Sequence, residues 1–302
     1  MRQHQRLQLT AGMPLVIPPV LSAAASAGGR SDWLQGLSAA VHQLQQRWSL
    51  TIGEPFLPGG QTAWVAPATT SSGEEVVLKV AWRHPEALHE ADGLREWNGD
   101  GTVRLHAAEI IDADTVALLL ERCSPGTTLS MTPEPDQDVV IAGLLRRLWR
   151  ELSGDHPFRS LQGMCDWWAD AYDEKVAAGP STVDPGMARE AIALFRTLPA
   201  TADRAVLLCT DLHAGNVLAA EREPWLVIDP KPYVGDPTYD PLQHLLNCDA
   251  RLRSDPLGLA DRMADLLDLD RQRMRLWLFA RCVQEAPQWP WLAEVARRIA
   301  PA

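Results

Sequence analysis

Apolar residues recur in two rhythms along the chain, and the change of rhythm divides it. Leu34, Leu37, Val41, Leu44 and Trp48 are spaced by three and four, which places them on one face of a helix behind Ser31 and Asp32 as expected caps. The residues before them read as an irregular arm. From residue 50 the period falls to two. Strands are predicted over 50–56, 63–69 and Val76–Val80, with a Ser71-Ser72-Gly73 turn, and over 108–112 and 115–121 on either side of Asp112-Ala113-Asp114. A helix over Pro85–Trp97 lies among them, so the first part of the chain reads as a small sheet with one or two helices.

Pro125, Gly126, Pro133 and Pro135 mark Cys123–Pro135 as a linker. Beyond it the helical rhythm dominates, with helices expected over 137–153, 164–178, 186–198, 238–249, 257–268, 270–285 and 290–300. One interruption, residues 205–230, holds the short apolar runs Val206-Leu207-Leu208, Val217-Leu218 and Leu226-Val227-Ile228 around polar residues. The expected division is therefore 1–123 and 124–302. No internal repeat or low-complexity tract is present.

Composition narrows the function. A chain of 302 residues, 46% hydrophobic and 22% charged, can bury a sizeable core, which excludes general disorder. With 39 acidic against 28 basic residues the formal charge is −11, a poor match to nucleic-acid phosphate and a better one to a cationic or neutral small molecule. Cysteines at 123, 165, 209, 248 and 282 are odd in number and widely spaced, so neither a disulfide framework nor a zinc ribbon is expected, and a reducing cytoplasm is. No apolar run is long enough to span a bilayer. Arg2, Arg6 and Ala25-Ser26-Ala27 loosely imitate a secretory signal, but Pro14, Pro18 and Pro19 break its apolar stretch.

The densest chemistry lies in Thr210-Asp211-Leu212-His213-Ala214-Gly215-Asn216, an Asp-x4-Asn, followed 13 residues later by Asp229-Pro230 at the end of an apolar strand. Such a set suits phosphoryl transfer: Asp211 would orient an acceptor hydroxyl and take its proton, while an amide oxygen and a second carboxylate suffice for a magnesium ion that keeps several waters. Taken alone, Asp-x4-Asn is better read as a pair of turn residues between strands. The flanking strands and the correctly placed Asp229 favour the phosphoryl reading.

The segment LLCTDLHAGNVLAAEREPWLVIDPKPYVGDPTYD, Leu207–Asp240, closely resembles the aminoglycoside phosphotransferases, and among them the streptomycin 6-phosphotransferase and hydroxyurea phosphotransferase family. Ile17-Pro18, Arg47-Trp48, Gly53–Ala66, Ala117–Gly126 and Asp229–Cys248 extend the resemblance over nearly the whole chain. It implies an α+β, bilobal protein-kinase-like fold, with a small β-rich N-lobe and a larger, mostly helical C-lobe. It also implies transfer of a γ-phosphoryl group from ATP or GTP, with Mg2+, to a small-molecule hydroxyl. Carried over by residue, Asp211 is the catalytic carboxylate, and Asn216 and Asp229 are the metal pair. Asp236 and Asp240 fall in the family's loop-to-helix signature, where capping and anchoring are expected of them. His213 is expected to hydrogen-bond the loop backbone. One departure is Cys209-Thr210, where many relatives have His-Gly before the catalytic Asp.

Only Lys79, Lys175 and Lys231 are lysines, and Lys79 sits inside an apolar strand pattern. Without the downstream motif an edge-strand lysine facing water would be the preferred reading. In the kinase reading it meets the α and β phosphates and a Glu on the next helix, Glu90 before Glu86. Gly59 and Gly60, joining two strands, would cover the phosphates with backbone amides. Leu118–Cys123 resembles the strand leading to the hinge, with backbone near Glu121 to Cys123 against the nucleobase.

For the acceptor, residues 124–302 hold 26 acidic against 19 basic side chains, and Asp166, Asp170, Asp173 and Glu174 beside Trp167 and Trp168 are candidates to meet cationic groups, although several of them are better read as a solvated helix face. The expectation is a magnesium-dependent kinase of a streptomycin-like aminoglycoside, an antibiotic-modifying enzyme. A hydroxyurea or amino-sugar kinase and a silent ligand-binding module are the competing readings. Intact Lys79, Asp211, Asn216 and Asp229 speak against the silent module. Only six residues separate Asp229 from Asp236, which leaves no room for the activation loop of a protein kinase.

Overall fold

The computed structural model describes residues 15–178 and 183–301. The first part of the expected arm, with Arg2, Arg6 and Pro14, lies outside them. Two compact units are present, Met1–Gly126 and Thr127–Ala302.

The first unit is an antiparallel sheet of β1 (Thr51–Ile52), β2 (Ala63–Thr69), β3 (Glu75–Trp82), β4 (Leu105–Ile110) and β5 (Thr115–Glu121), in the order β1-β2-β3-β5-β4. Alternation along β3 decides which side chain goes where. Val76, Leu78 and Val80 share a face with Trp64, Ala66, Ala68, Ala117 and Leu119, and that face packs with Leu21, Leu37, Val41 and Leu44 of α1 (Pro19–Ala27) and α2 (Ser31–Arg47). Lys79, opposite Val65 and Leu118 in the register, therefore projects from the other face. A third helix, α3 (Glu90–Trp97), buries Glu90, Leu94 and Trp97 and ends at Asn98 in the left-handed region.

Some local expectations shift. The arm contains α1, started by Pro19 in its first turn. Ser31 and Asp32 lie inside the first turn of α2 rather than capping it, and Asp32 there still meets the positive end of the helix. The strand expected over 50–56 shortens to two residues because Pro55 has no N–H for the ladder. That expected over 108–112 instead runs Leu105–Ile110, and Asp112 closes its turn by accepting the Asp114 N–H at 2.8 Å.

The expected linker is structured: β6 (Pro125–Thr128), which spans the division of the chain at Gly126, and a 3-10 turn precede α4 (Glu134–Leu148) of the second unit, which Pro133 and Pro135 start rather than interrupt. Helices α5 (Leu161–Ala178), α6 (Pro185–Thr197), α9 (Pro256–Leu267), α10 (Arg271–Glu285) and α11 (Leu292–Ile299) form the body. Helix α10 is buried almost all round, from Trp277 through Val283. The helix expected over 238–249 is broken by Pro241 into a 3-10 turn at Pro237–Tyr239, α7 (Leu242–Leu246) and α8 (Asp249–Ser254).

Two small sheets interrupt the helices. Strands β7 (Arg159–Ser160), β11 (Tyr233–Gly235) and β8 (Val206–Leu208) form one; β10 (Leu226–Val227), β9 (Val217–Ala220) and β6 form the other. Their loops, 209–216 and 228–232, carry the Asp and Asn residues of the sequence motif. Among the described residues no helix is long and apolar enough to cross a membrane. None of the five cysteines forms a disulfide.

Candidate functional site

In the first unit Lys79 Nζ donates to both carboxylate oxygens of Glu90 at 2.7 Å, with side chains 9% and 3% exposed. An ammonium aimed from a buried strand position needs such a partner, and α3 supplies it from its first residue. Glu86 is exposed and lies 4.0 Å from His84. The loop 57–62 is braced from the N-terminal helices: Gly59 has φ +82°, a Cβ on it would come 2.7 Å from Pro18 Cβ, and Arg30 donates to the Gln61 carbonyl at 3.4 Å while stacking over Trp82. Glu121 ends β5 tied to Arg104, whose N–H it accepts at 2.9 Å, and Cys123 is half-buried.

In the second unit the motif residues gather on two loops held as one. Asp211 N–H donates to the Cys209 carbonyl at 2.8 Å, and Lys231 N–H donates to the same carbonyl at 2.9 Å. Ile228 N–H donates to the Asn216 carbonyl at 2.9 Å. Asn216 Nδ2 donates to the Asp211 carbonyl at 3.0 Å, which fixes the amide and leaves Oδ1 as its acceptor for a ligand. Thr210 and Asp229 both stand in the left-handed region, at φ 50° and 54°. Such strain in a non-glycine residue persists only where surroundings enforce it.

His213 caps the 3-10 turn Ala214–Asn216, its Nδ1 accepting from Gly215 N–H at 3.1 Å, and burial holds its imidazole below the ordinary value. Burial likewise pushes the Cys209 thiol well up, so it is a neutral packing residue and no nucleophile. Asp236 caps the Pro237–Tyr239 turn and accepts from Arg273 at 2.6 Å and from the Trp277 indole at 2.7 Å. The donor set of Asn216 Oδ1 and the Asp229 carboxylate is made of hard oxygens and suits magnesium.

Among the described residues one group of three His, Cys, Asp or Glu side chains converges as metal-type ligands, Asp138, His244 and Cys248. The Asp138 carboxylate there is already occupied by Arg251 at 3.0 and 2.7 Å, Arg262 at 2.7 Å and His244 at 2.9 Å, so the cluster is a hub tying α4, α7, α8 and α9.

On α5, Trp168 packs against Phe195 and Tyr239 beneath Arg281, whereas Trp167 is 63% exposed. Asp166 accepts from Gln162 at 2.9 Å, Asp170 pairs with Arg196 at 2.8 Å, and Glu174 is exposed. Two of these three acids thus have protein partners at rest. The structure adds Lys231, whose Nζ donates to Asp211 Oδ2. Its signal in the sequence was the scarcity of lysine and its place two residues after Asp229. The brace formed by Pro18 and Arg30 has no such signal.

The family model described as aminoglycoside/hydroxyurea antibiotic resistance kinase matches residues 47–293. A hydroxyurea phosphotransferase of Kitasatospora aureofaciens is 37% identical over 85% of this chain and 74% of its own length. A streptomycin 6-kinase of Streptomyces glaucescens is 36% identical over 84% and 83%. Among solved structures, a thermostable mutant of aminoglycoside phosphotransferase APH(4)-Ia with ADP and hygromycin B aligns at TM-score 0.60 and 13% identity, over 86% of this chain and 99% of that one. Choline kinase LicA from Streptococcus pneumoniae aligns at TM-score 0.57 and 12% identity, over 88% and 97%. The fold is thus the protein-kinase-like one, and since both sequence relatives and the family model run through the Asp211 and Asp229 loops, the chain belongs to the aminoglycoside/hydroxyurea antibiotic resistance kinase family.

Proposed function

We propose that this chain transfers the γ-phosphoryl group of ATP to a hydroxyl of a streptomycin-like aminoglycoside and thereby confers resistance. The observation that carries the reading is the loop bearing Asp211 and Asn216, backbone-locked to the loop bearing Asp229. Asp211 orients the acceptor hydroxyl and takes its proton as the oxygen attacks phosphorus, the bond to the leaving β-phosphate oxygen breaking in the same transfer. Asn216 and Asp229 would hold magnesium, which when bound neutralises charge on the β and γ phosphates. Lys79, aligned by Glu90, pairs with the α and β phosphates, backbone amides at Gly59 and Gly60 cover them, and the backbone at Glu121 to Cys123 meets the base. Asp166, Asp170 and Glu174 would receive acceptor cations, Asp170 exchanging Arg196 for a guanidinium of the same planar geometry.

The streptomycin 6-kinase relatives, at 36% and 33% identity, favour the aminoglycoside acceptor, and the hydroxyurea phosphotransferase relative, at 37%, supports hydroxyurea as the second reading. ATP consumption should be followed with streptomycin, other aminoglycosides, amino sugars and hydroxyurea, each product being weighed by mass spectrometry. Phosphorylated streptomycin supports the first reading. Phosphorylated hydroxyurea alone replaces it with the second.

A further inference from the structure

The ion pair between Lys231 and Asp211 is not accounted for by the roles above. Lys231 is pinned at both backbone groups: its N–H donates to the Cys209 carbonyl at 2.9 Å, and its carbonyl accepts from Thr210 Oγ1. The stem therefore starts from a fixed point beside the Asp211 loop, and its ammonium reaches Oδ2, with side chains 25% and 15% exposed. A carboxylate otherwise rotates broadly about its terminal torsion and offers either oxygen. Here Oδ2 is taken, and Oδ1 accepts from no group among the described residues.

On the reading of this chain as a kinase, we propose that Lys231 is a positioning residue for Asp211: it clamps Oδ2 so that Oδ1 faces the acceptor hydroxyl. Arginine could make the same bond with a bulkier, planar head, while methionine keeps the stem and loses the charge. In this role Lys231 acts through the carboxylate, and that contribution exists only while the carboxylate is present.

The test is a double-mutant cycle on the full chain, using whichever acceptor the wild type phosphorylates. Lys231→Met should lower kcat by about 10- to 100-fold, the lower part of the range for a positioned acid or base. The KM and calorimetric Kd for the nucleotide should stay within about twofold, a shift of under 1 kcal/mol. Lys231→Arg should recover much of the loss. In an Asp211→Asn background, Lys231→Met should cause no further fall.

An equal further fall in that background would show an independent contact with phosphate and overturn the proposal, as would an unchanged kcat in Lys231→Met. Should Lys231→Met unfold, as its melting temperature would reveal, Lys231→Gln and Lys231→Arg are read by the same cycle. A wild type that phosphorylates no acceptor fails the kinase reading itself, a result distinct from an active wild type indifferent to Lys231.

Discussion

Asp240 holds the backbone that precedes Asp211: its carboxylate accepts the N–H of Cys209 at 3.1 Å and that of Thr210 at 2.7 Å, and it also accepts from the Trp149 indole at 2.9 Å. Thr210 sits at φ 50°, so the strained turn that presents Asp211 is enforced from a residue 31 positions from Cys209. Asp240→Ala leaves these buried donors without acceptors at about 1–3 kcal/mol each. Denaturant melts should show a loss of that order, with kcat falling in the surviving folded fraction. Asp240→Asn, which keeps one oxygen, should lose less. Equal stability of the alanine variant and wild type would remove the anchoring role.

Lys79 and Glu90 form a buried ion pair, so removing one member takes from the other its opposite charge. Lys79→Met should cost about 3 kcal/mol of stability and weaken nucleotide binding, whereas Lys79→Met with Glu90→Leu should regain stability without regaining binding. Thermal melts and nucleotide titration separate the two effects. If the double variant also bound nucleotide normally, Lys79 would have no part in phosphate recognition.

The loop at Gly59 is set against Pro18. Gly59→Ala meets both a left-handed φ and a contact 2.7 Å from Pro18 Cβ, and a strain of about 1–2 kcal/mol relieved by moving the loop should raise the nucleotide KM about 10-fold. At Gly60 an added Cβ approaches nothing closer than 3.8 Å, the Ala63 carbonyl, so Gly60→Ala should have a smaller effect. The ratio of the two KM values is the readout, and a ratio near one would count against the brace.

Burial pushes the Asp138 carboxyl up, but hydrogen bonds from His244, Arg251 and Arg262 outweigh it and hold the group well below the usual carboxylate range. A depressed folded value means stability that is present above the unfolded value, 3.8, and is lost as pH falls through the folded one. Asp138→Asn should therefore be less stable than wild type at pH 7 by about 3–5 kcal/mol, and the gap should narrow below about pH 4. Urea melts from pH 3 to pH 7 check this. A gap independent of pH would contradict it.

How much was legible follows from where the signals lie. The two rhythms located most strands and helices because those periods are local, whereas the bilobal fold came with the family resemblance carried by the loop motif. Lys79 was legible as an odd residue in an apolar strand, and Glu90 because it falls, eleven residues later, within the helix expected over Pro85–Trp97. Helix α1 is short and Ala-rich, and its two buried residues, Leu21 and Ala25, are too few to set a helical period. Strands β7 and β11 are two and three residues long, stabilised by a parallel pairing that brings Arg159 beside Tyr233 across 74 positions, which no local pattern records. The clamp of Lys231 on Asp211 spans 20 positions and needed the loops in place to be seen.

The role proposed for Asp211 is phosphoryl transfer to a small-molecule hydroxyl. Its most direct test compares wild type and Asp211→Asn with ATP, magnesium and streptomycin, reading the phosphorylated product by mass spectrometry and nucleotide affinity by calorimetry. The expected result is product from wild type, a fall in turnover of roughly 10² to 10⁴ in the variant, and unchanged nucleotide affinity. Near-normal turnover by the folded variant would contradict the account.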